Sequence, residues 1–152
     1  MERIISERGV ATVTLISIII AVVIMSIIVA TITARSSQMN NVKSLDYMYN
    51  DIRMLNEKIA VYYFKYKTLP VKGTQFSMGG VPEEEINPND NNIYYEIDLN
   101  ALENLSLNNN PNDPTNIYVI NEQSHTIYFP NGVIIEGIAY YRLPEEYSEI
   151  EI

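Results

Sequence analysis

Hydrophobic and polar positions follow three different rhythms along the chain. From Val10 to Ile32 there is no rhythm: 23 residues contain 18 apolar ones and five Ser or Thr, with no charge, Gly or Pro. At 1.5 Å per residue a helix of that length covers about 35 Å, against about 30 Å of bilayer hydrocarbon. A soluble core helix apolar on all sides needs protein wrapped round it, and the other 129 residues are too few and too polar for that. A cleavable secretory signal has a shorter apolar run, about 7 to 15 residues. The pattern therefore predicts a retained transmembrane helix over 10–34, behind a short leader at 1–9.

After the span the rhythm becomes helical. Leu45, Ile52, Ile59 and Tyr66 recur every seven residues, and Met48, Leu55, Tyr62 and Leu69 form a second set three residues further on. Lys43, Asp46, Asp51, Arg53, Glu57, Lys58, Lys65 and Lys67 fall between them and belong on the solvated sides. No Gly or Pro interrupts the chain between Gly9 and Pro70, so one helix from Val10 to about Tyr66 is expected, with Leu69-Pro70 as its stop. Four tyrosine-rich repeats are few for a coiled coil, which favours a stem helix (35–69) laid on the sheet of its own domain.

Beyond Pro70 the rhythm shortens to that of strands and turns. A Gly-, Pro- and Asn-rich loop occupies 71–92, with at most a short strand near Thr74 to Met78. A strand at Ile93 to Leu99 follows, then a short helix at Ala101 to Leu105 capped by Asn100. A four-stranded antiparallel meander is then expected: Ile117 to Ile120, Thr126 to Phe129, Val133 to Ile135 and Ile138 to Arg142. Its turns fall at Asn121 to Ser124, at Asn131-Gly132 as a type I′ pair, and at Glu136-Gly137. The fold class is α+β, a long N-terminal helix packed on a small antiparallel head (70–142), with an acidic tail at 143–152.

Composition sharpens this division. The whole chain is 47% hydrophobic, but without the span the remainder falls to about 41%, ordinary for a small soluble domain. Net charge is -9. Residues 35–72 carry seven basic against three acidic side chains, a net of +4, whereas 73–152 carry fourteen acids against Arg142 alone, a net of -13. A basic stem beside an acidic head favours oriented stacking of copies. An acidic head is a poor nucleic-acid binder. Cysteine is absent and His125 is the single histidine, which removes thiol nucleophiles, disulfides and the usual zinc sites. Arg3 and Arg8 before the span are balanced by Arg35, Lys43 and Arg53 after it, so charge counting leaves orientation open.

A leader ending Glu7-Arg8-Gly9, an uncharged span starting at Val10, an unbroken amphipathic stem, and a head opening on a Gly/Pro/Asn loop and closing in an antiparallel sheet resemble, over the whole chain, the type IV pilins and the pseudopilins of type II secretion. The resemblance implies cleavage between Gly9 and Val10 by a membrane prepilin peptidase. It also implies methylation of the new N-terminus, an extracytoplasmic head, and assembly with other pilin-like subunits through the apolar helix into a cell-surface filament. The chain departs from the family at its first, second and fifth mature positions, where Val10, Ala11 and Thr14 replace the usual Phe, Thr and Glu. In the family that Glu neutralises a neighbouring subunit's N-terminal amine, which Thr14 cannot do; a subunit without it resembles the tip-located minor pseudopilins or belongs to a divergent low-complexity branch.

Other chemistry is sparse. Glu83 to Glu85 and the Asn-rich run with Asp90 offer oxygen ligands of the kind calcium prefers, and major pseudopilins bind calcium in a head loop. Asp90 and Glu85 are thus the weak calcium candidates, although their spacing matches no EF-hand loop and a solvated turn is favoured. No nucleophile–base pair or metal constellation predicts an enzyme, and no cofactor is expected. Asn104-Leu105-Ser106 matches a glycosylation acceptor. In Tyr62-Tyr63, Tyr94-Tyr95 and Tyr140-Tyr141 one ring of each pair is expected in the core and the other outward, open to subunit or ligand contact. The sequence thus points to a prepilin-like structural subunit, with a membrane-anchored extracytoplasmic binding module that does not polymerise as the alternative.

Overall fold

The computed structural model describes the backbone of residues 2–145 and the side chains of residues 12–32 and 36–145. A single α-helix, α1 (Glu2–Tyr66), runs through the predicted span and stem. Contacts divide the chain into two units, Met1–Asn40 and Asn41–Ile152. In the first, every described side chain from Thr12 to Ile32 is exposed.

The second unit is built on the C-terminal part of α1 and a five-stranded sheet. Its strands are β1 (Val71–Gln75), β2 (Tyr94–Ile97), β3 (Val119–Asn121), β4 (Ile127–Ile135) and β5 (Ile138–Arg142). They lie in chain order, each antiparallel to the next. The α+β architecture is therefore as the sequence indicates. The predicted heptads form the helix's buried stripe: Met48, Ile52, Leu55 and Ile59 join Ile97, Tyr118, Ile120, Ile127 and Phe129 in the main core, with Leu45, Tyr62 and Leu69 packed against it. Tyr66 stacks on Tyr62 but stays half-exposed at the end of the stripe.

Several local expectations are corrected. The meander has five strands rather than four, because β2 pairs with β3 and β1 is added at the other edge. The stretch Thr126 to Ile135 is not two strands joined by a turn at Asn131-Gly132. Only Gly132 of that pair has positive φ, +64°, and β4 runs through it as an irregularity in which Tyr128 pairs Arg142 and Val133 pairs Tyr140. Pro130 has no N–H for the ladder, and the Asn131 side chain donates instead to the Thr115 carbonyl, which favours a bulge over a chain reversal. The reversal comes at Glu136-Gly137, where both residues have positive φ (51° and 84°) and Ile135 pairs Ile138.

The helix stops before Pro70. Lys67 adopts φ 58° and its N–H donates to the Tyr63 carbonyl at 2.8 Å, a left-handed cap made without glycine. The first strand begins directly after Pro70 rather than near Thr74. The short helix expected at Ala101 to Leu105 is a single 3-10 turn, Leu99–Ala101, capped by Asp98, whose carboxylate accepts from the Asn100 N–H.

Alternation in the strands gives the sheet two buried faces. Ile97, Ile120 and Ile127 face α1. Tyr94, Val119 and Tyr128 form a second core on the far side, covered by Phe76, Met78 and Ile86 from the long loop after β1. Neither ring of Tyr94-Tyr95 or Tyr140-Tyr141 is fully exposed: Tyr94 is buried in this second core and Tyr95 half-buried, while Tyr141 packs on the second core and Tyr140 on the main one. The acidic tail falls mostly at residues 146–152, outside the described residues.

Candidate functional site

From Thr12 to Ile32 the helix surface is predominantly apolar on all sides, and α1 is long and apolar enough to cross a membrane. Its hydroxyls are suited to that setting. Ser17, Ser26 and Thr31 each donate to the carbonyl four residues earlier, on Val13, Val22 and Ile27, at 2.8 to 2.9 Å. Each O–H is thereby satisfied within its own helix, which matters where no water is available to pair it. Thr14 lies exposed on this segment. Arg8, Gly9 and Val10 belong to the helical backbone of α1, and their side chains lie outside the described residues.

The head contains two carboxylates that each hold an Asn-rich loop to the fold. Asp51 is fully buried on α1, a correction to its expected place on the solvated side. Its position on the flank of the stripe, three residues after Met48 and four before Leu55, was the available signal. One of its oxygens accepts from the backbone N–H of Asn108 at 2.6 Å and from the Asn108 side-chain amide at 2.9 Å. The other accepts from the Asn109 N–H and the Tyr118 hydroxyl, both at 2.9 Å. A buried carboxylate is tolerable when its lone pairs are met by donors in this way. Burial, reinforced by the Asp51 charge, pushes the Tyr118 hydroxyl well above the ordinary tyrosine range.

Asp90 does the same on the far face of the sheet. It accepts from the hydroxyls of Tyr128 (2.6 Å), Tyr94 (3.1 Å) and Ser124, while Asn87 closes the network by donating its backbone N–H to the Tyr128 oxygen and its amide to Thr126. Buried Asn121 anchors the adjoining turn, donating to the carbonyls of Asn91 and Ile93 and accepting from the N–H groups of Gln123 and Ser124. Burial and then the Asp90 carboxylate push Tyr94 up to about 12, and burial followed by the Asp90 hydrogen bond raises Tyr128 further.

The two calcium candidates are engaged in different parts of the head. The Asp90 oxygens face hydroxyl donors, and Glu85 sits on a 3-10 turn, Glu83–Glu85, where its backbone carbonyl accepts from Arg142 Nε at 2.8 Å. Among the described residues no cluster of three or more His, Asp or Glu is arranged to hold a metal. His125 has φ 60°, and its ring lies 5.8 Å from that of Tyr63 in the turn before β4. Comparison of the chain with protein-family models, curated proteins and solved structures returns no match.

Proposed function

We propose that this chain is a prepilin-like structural subunit, cleaved after Gly9 and built through its N-terminal helix into a pilus or secretion pseudopilus, with the α+β head displayed outside the membrane. The observation that carries this reading is α1 itself: an apolar, fully exposed segment from Thr12 to Ile32 belongs to the same unbroken helix whose later turns are the spine of the head's core. A helix used only as an anchor has no need to be continuous with a domain's core, whereas a filament subunit has to pass position from the bundle to the head. Cleavage at Gly9-Val10 and an extracytoplasmic head come from the resemblance in the leader.

One residue favours the second reading, a membrane-anchored module that does not polymerise. Thr14 offers no carboxylate for a neighbour's N-terminal amine. The two are separated by mass spectrometry of the mature N-terminus after coexpression with a prepilin peptidase. The expected chain starts at Val10, and Gly9→Leu blocks processing while leaving membrane insertion intact. Retention of residues 1–9 by the unaltered chain overturns the subunit reading.

A further inference from the structure

Asn104-Leu105-Ser106 is the only Asn-x-Ser/Thr tripeptide in the chain. It lies between the 3-10 turn at Leu99–Ala101 and β3, in a segment pinned to the main core by the buried Leu102 and by the partly buried Leu105 and Leu107. The polar positions between these anchors face the other way: Glu103, Asn104 and Ser106 are exposed. The tripeptide is thereby presented with its middle residue inward and both chemistry-bearing residues in solvent. Asn104 borders two clefts, of about 670 and 270 Å³, so there is open volume beside its side chain.

Other asparagines of the head hold loops in place. The side-chain amides of Asn87, Asn108, Asn109, Asn121 and Asn131 each donate to a partner elsewhere in the fold. Asn104 differs: among the described residues, neither its side-chain amide nor the Ser106 hydroxyl enters a hydrogen bond. Backbone geometry accounts for one of the two residues. Asn104 has φ 53°, a left-handed conformation that Asn adopts more readily than most side chains. That turn makes no demand on position 106. An exposed hydroxyl two residues after an unpaired, exposed Asn amide is what an N-linked glycosyl acceptor requires.

We propose that Asn104 is an N-glycosylation site, which receives one oligosaccharide from a lipid-linked diphosphate donor at the outer face of the membrane. The amide nitrogen of Asn104 bonds to the anomeric carbon of the first sugar, and the bond from that carbon to the diphosphate oxygen breaks. The lipid diphosphate leaves with the electron pair, and the displaced amide proton passes to a base on the membrane transferase. This is a substitution with no net oxidation or reduction. It requires the head to lie outside the membrane, and so rests on the extracytoplasmic reading of the head.

The test uses the full-length chain isolated from its native membranes, with the peptide that carries Asn104 weighed by mass spectrometry. The expected result is a mass excess of one oligosaccharide at Asn104, lost in Asn104→Asp and in Ser106→Ala and retained in Ser106→Thr. Asp tolerates the left-handed turn and position 106 is exposed, so both acceptor-less variants should melt like the unaltered chain, which separates loss of the acceptor from loss of the fold. An unmodified Asn104, an excess that survives Asn104→Asp or Ser106→Ala, or its loss in Ser106→Thr each overturns the site. Orientation is read on the same cells with protease added to intact spheroplasts. A digested head with Asn104 bare sinks the glycosylation alone, whereas a protected head with Asn104 bare sinks the extracytoplasmic reading and the glycosylation with it.

Discussion

At the scale of single residues, the head depends on carboxylates whose oxygens are met by neutral N–H and O–H donors. Asp51 satisfies four donors at once, so replacing it removes the acceptor of two part-buried backbone N–H groups and of the buried Tyr118 hydroxyl. We expect Asp51→Ala to lower stability by about 3 kcal/mol, the scale for breaking a buried hydrogen-bond network, and exposed Asp46→Ala to change it by less than about 0.5 kcal/mol. Thermal unfolding followed by circular dichroism compares the two, and equal midpoints would show that the loop at Asn108-Asn109 is not held by Asp51.

The tyrosines give a pH dependence whose sign follows from linkage. Tyr94 titrates near 12 in the folded chain against 10.0 for an ordinary tyrosine, and Tyr118 and Tyr128 are raised in the same direction. Their folded pKa values exceed the unfolded one, so their contribution is fully present below pH 10 and is lost as pH rises through the folded values. The head should therefore unfold in alkali, its stability beginning to fall near pH 10. Tyrosinate absorbance recorded together with circular dichroism tests this, and ionisation of all twelve tyrosines near pH 10 without unfolding would contradict it.

At the scale of elements, the β4 irregularity makes a sharp distinction between two glycines. Gly132 has positive φ, and a Cβ built on it would lie 2.8 Å from the Tyr141 ring, whereas Gly137 has positive φ with open space around it. Gly132→Ala should cost about 2 kcal/mol, through left-handed strain plus displacement of Tyr141 from the second core. Gly137→Asn should cost well under that, because Asn tolerates the left-handed region of a type I′ turn. Urea midpoints of the two variants decide it, and a cheaper Gly132→Ala would mean that β4 relaxes easily at the bulge.

At the scale of the whole molecule, one segment has the length and apolarity of a membrane span and the head folds round its own core. Fourteen Leu, Ile and Val between Val10 and Ile32, at about −0.4 kcal/mol each, favour insertion by about 6 kcal/mol, while one central Arg opposes it by about 3. A single Val23→Arg should then remain membrane-integral, and Ile20→Arg combined with Val23→Arg should become extractable by alkaline carbonate. If the double variant stays integral, the segment is not the membrane span.

The division of labour between sequence and fold follows from the range of the forces involved. Periodicity and uniform apolarity are local, and they mark the apolar helical segment, the heptads Met48, Ile52, Leu55 and Ile59, the helix–sheet architecture and the Glu136-Gly137 turn. The fate of Asp51, Asp90 and the second rings of the tyrosine pairs depends on partners dozens of residues away, 57 and 67 residues for Asn108 and Tyr118 on Asp51. Spacing along the chain carries no trace of such pairings. The Asn131-Gly132 pair departs from its local turn signal for a related reason: Pro130 and the Thr115 carbonyl favour a bulge there. What the sequence determined by itself is where this chain is apolar and with what period, because burial acts on each residue's own surface. Which carboxylates are buried, which loops they hold and which apolar side chains stay exposed were decided only when the sheet closed on the helix.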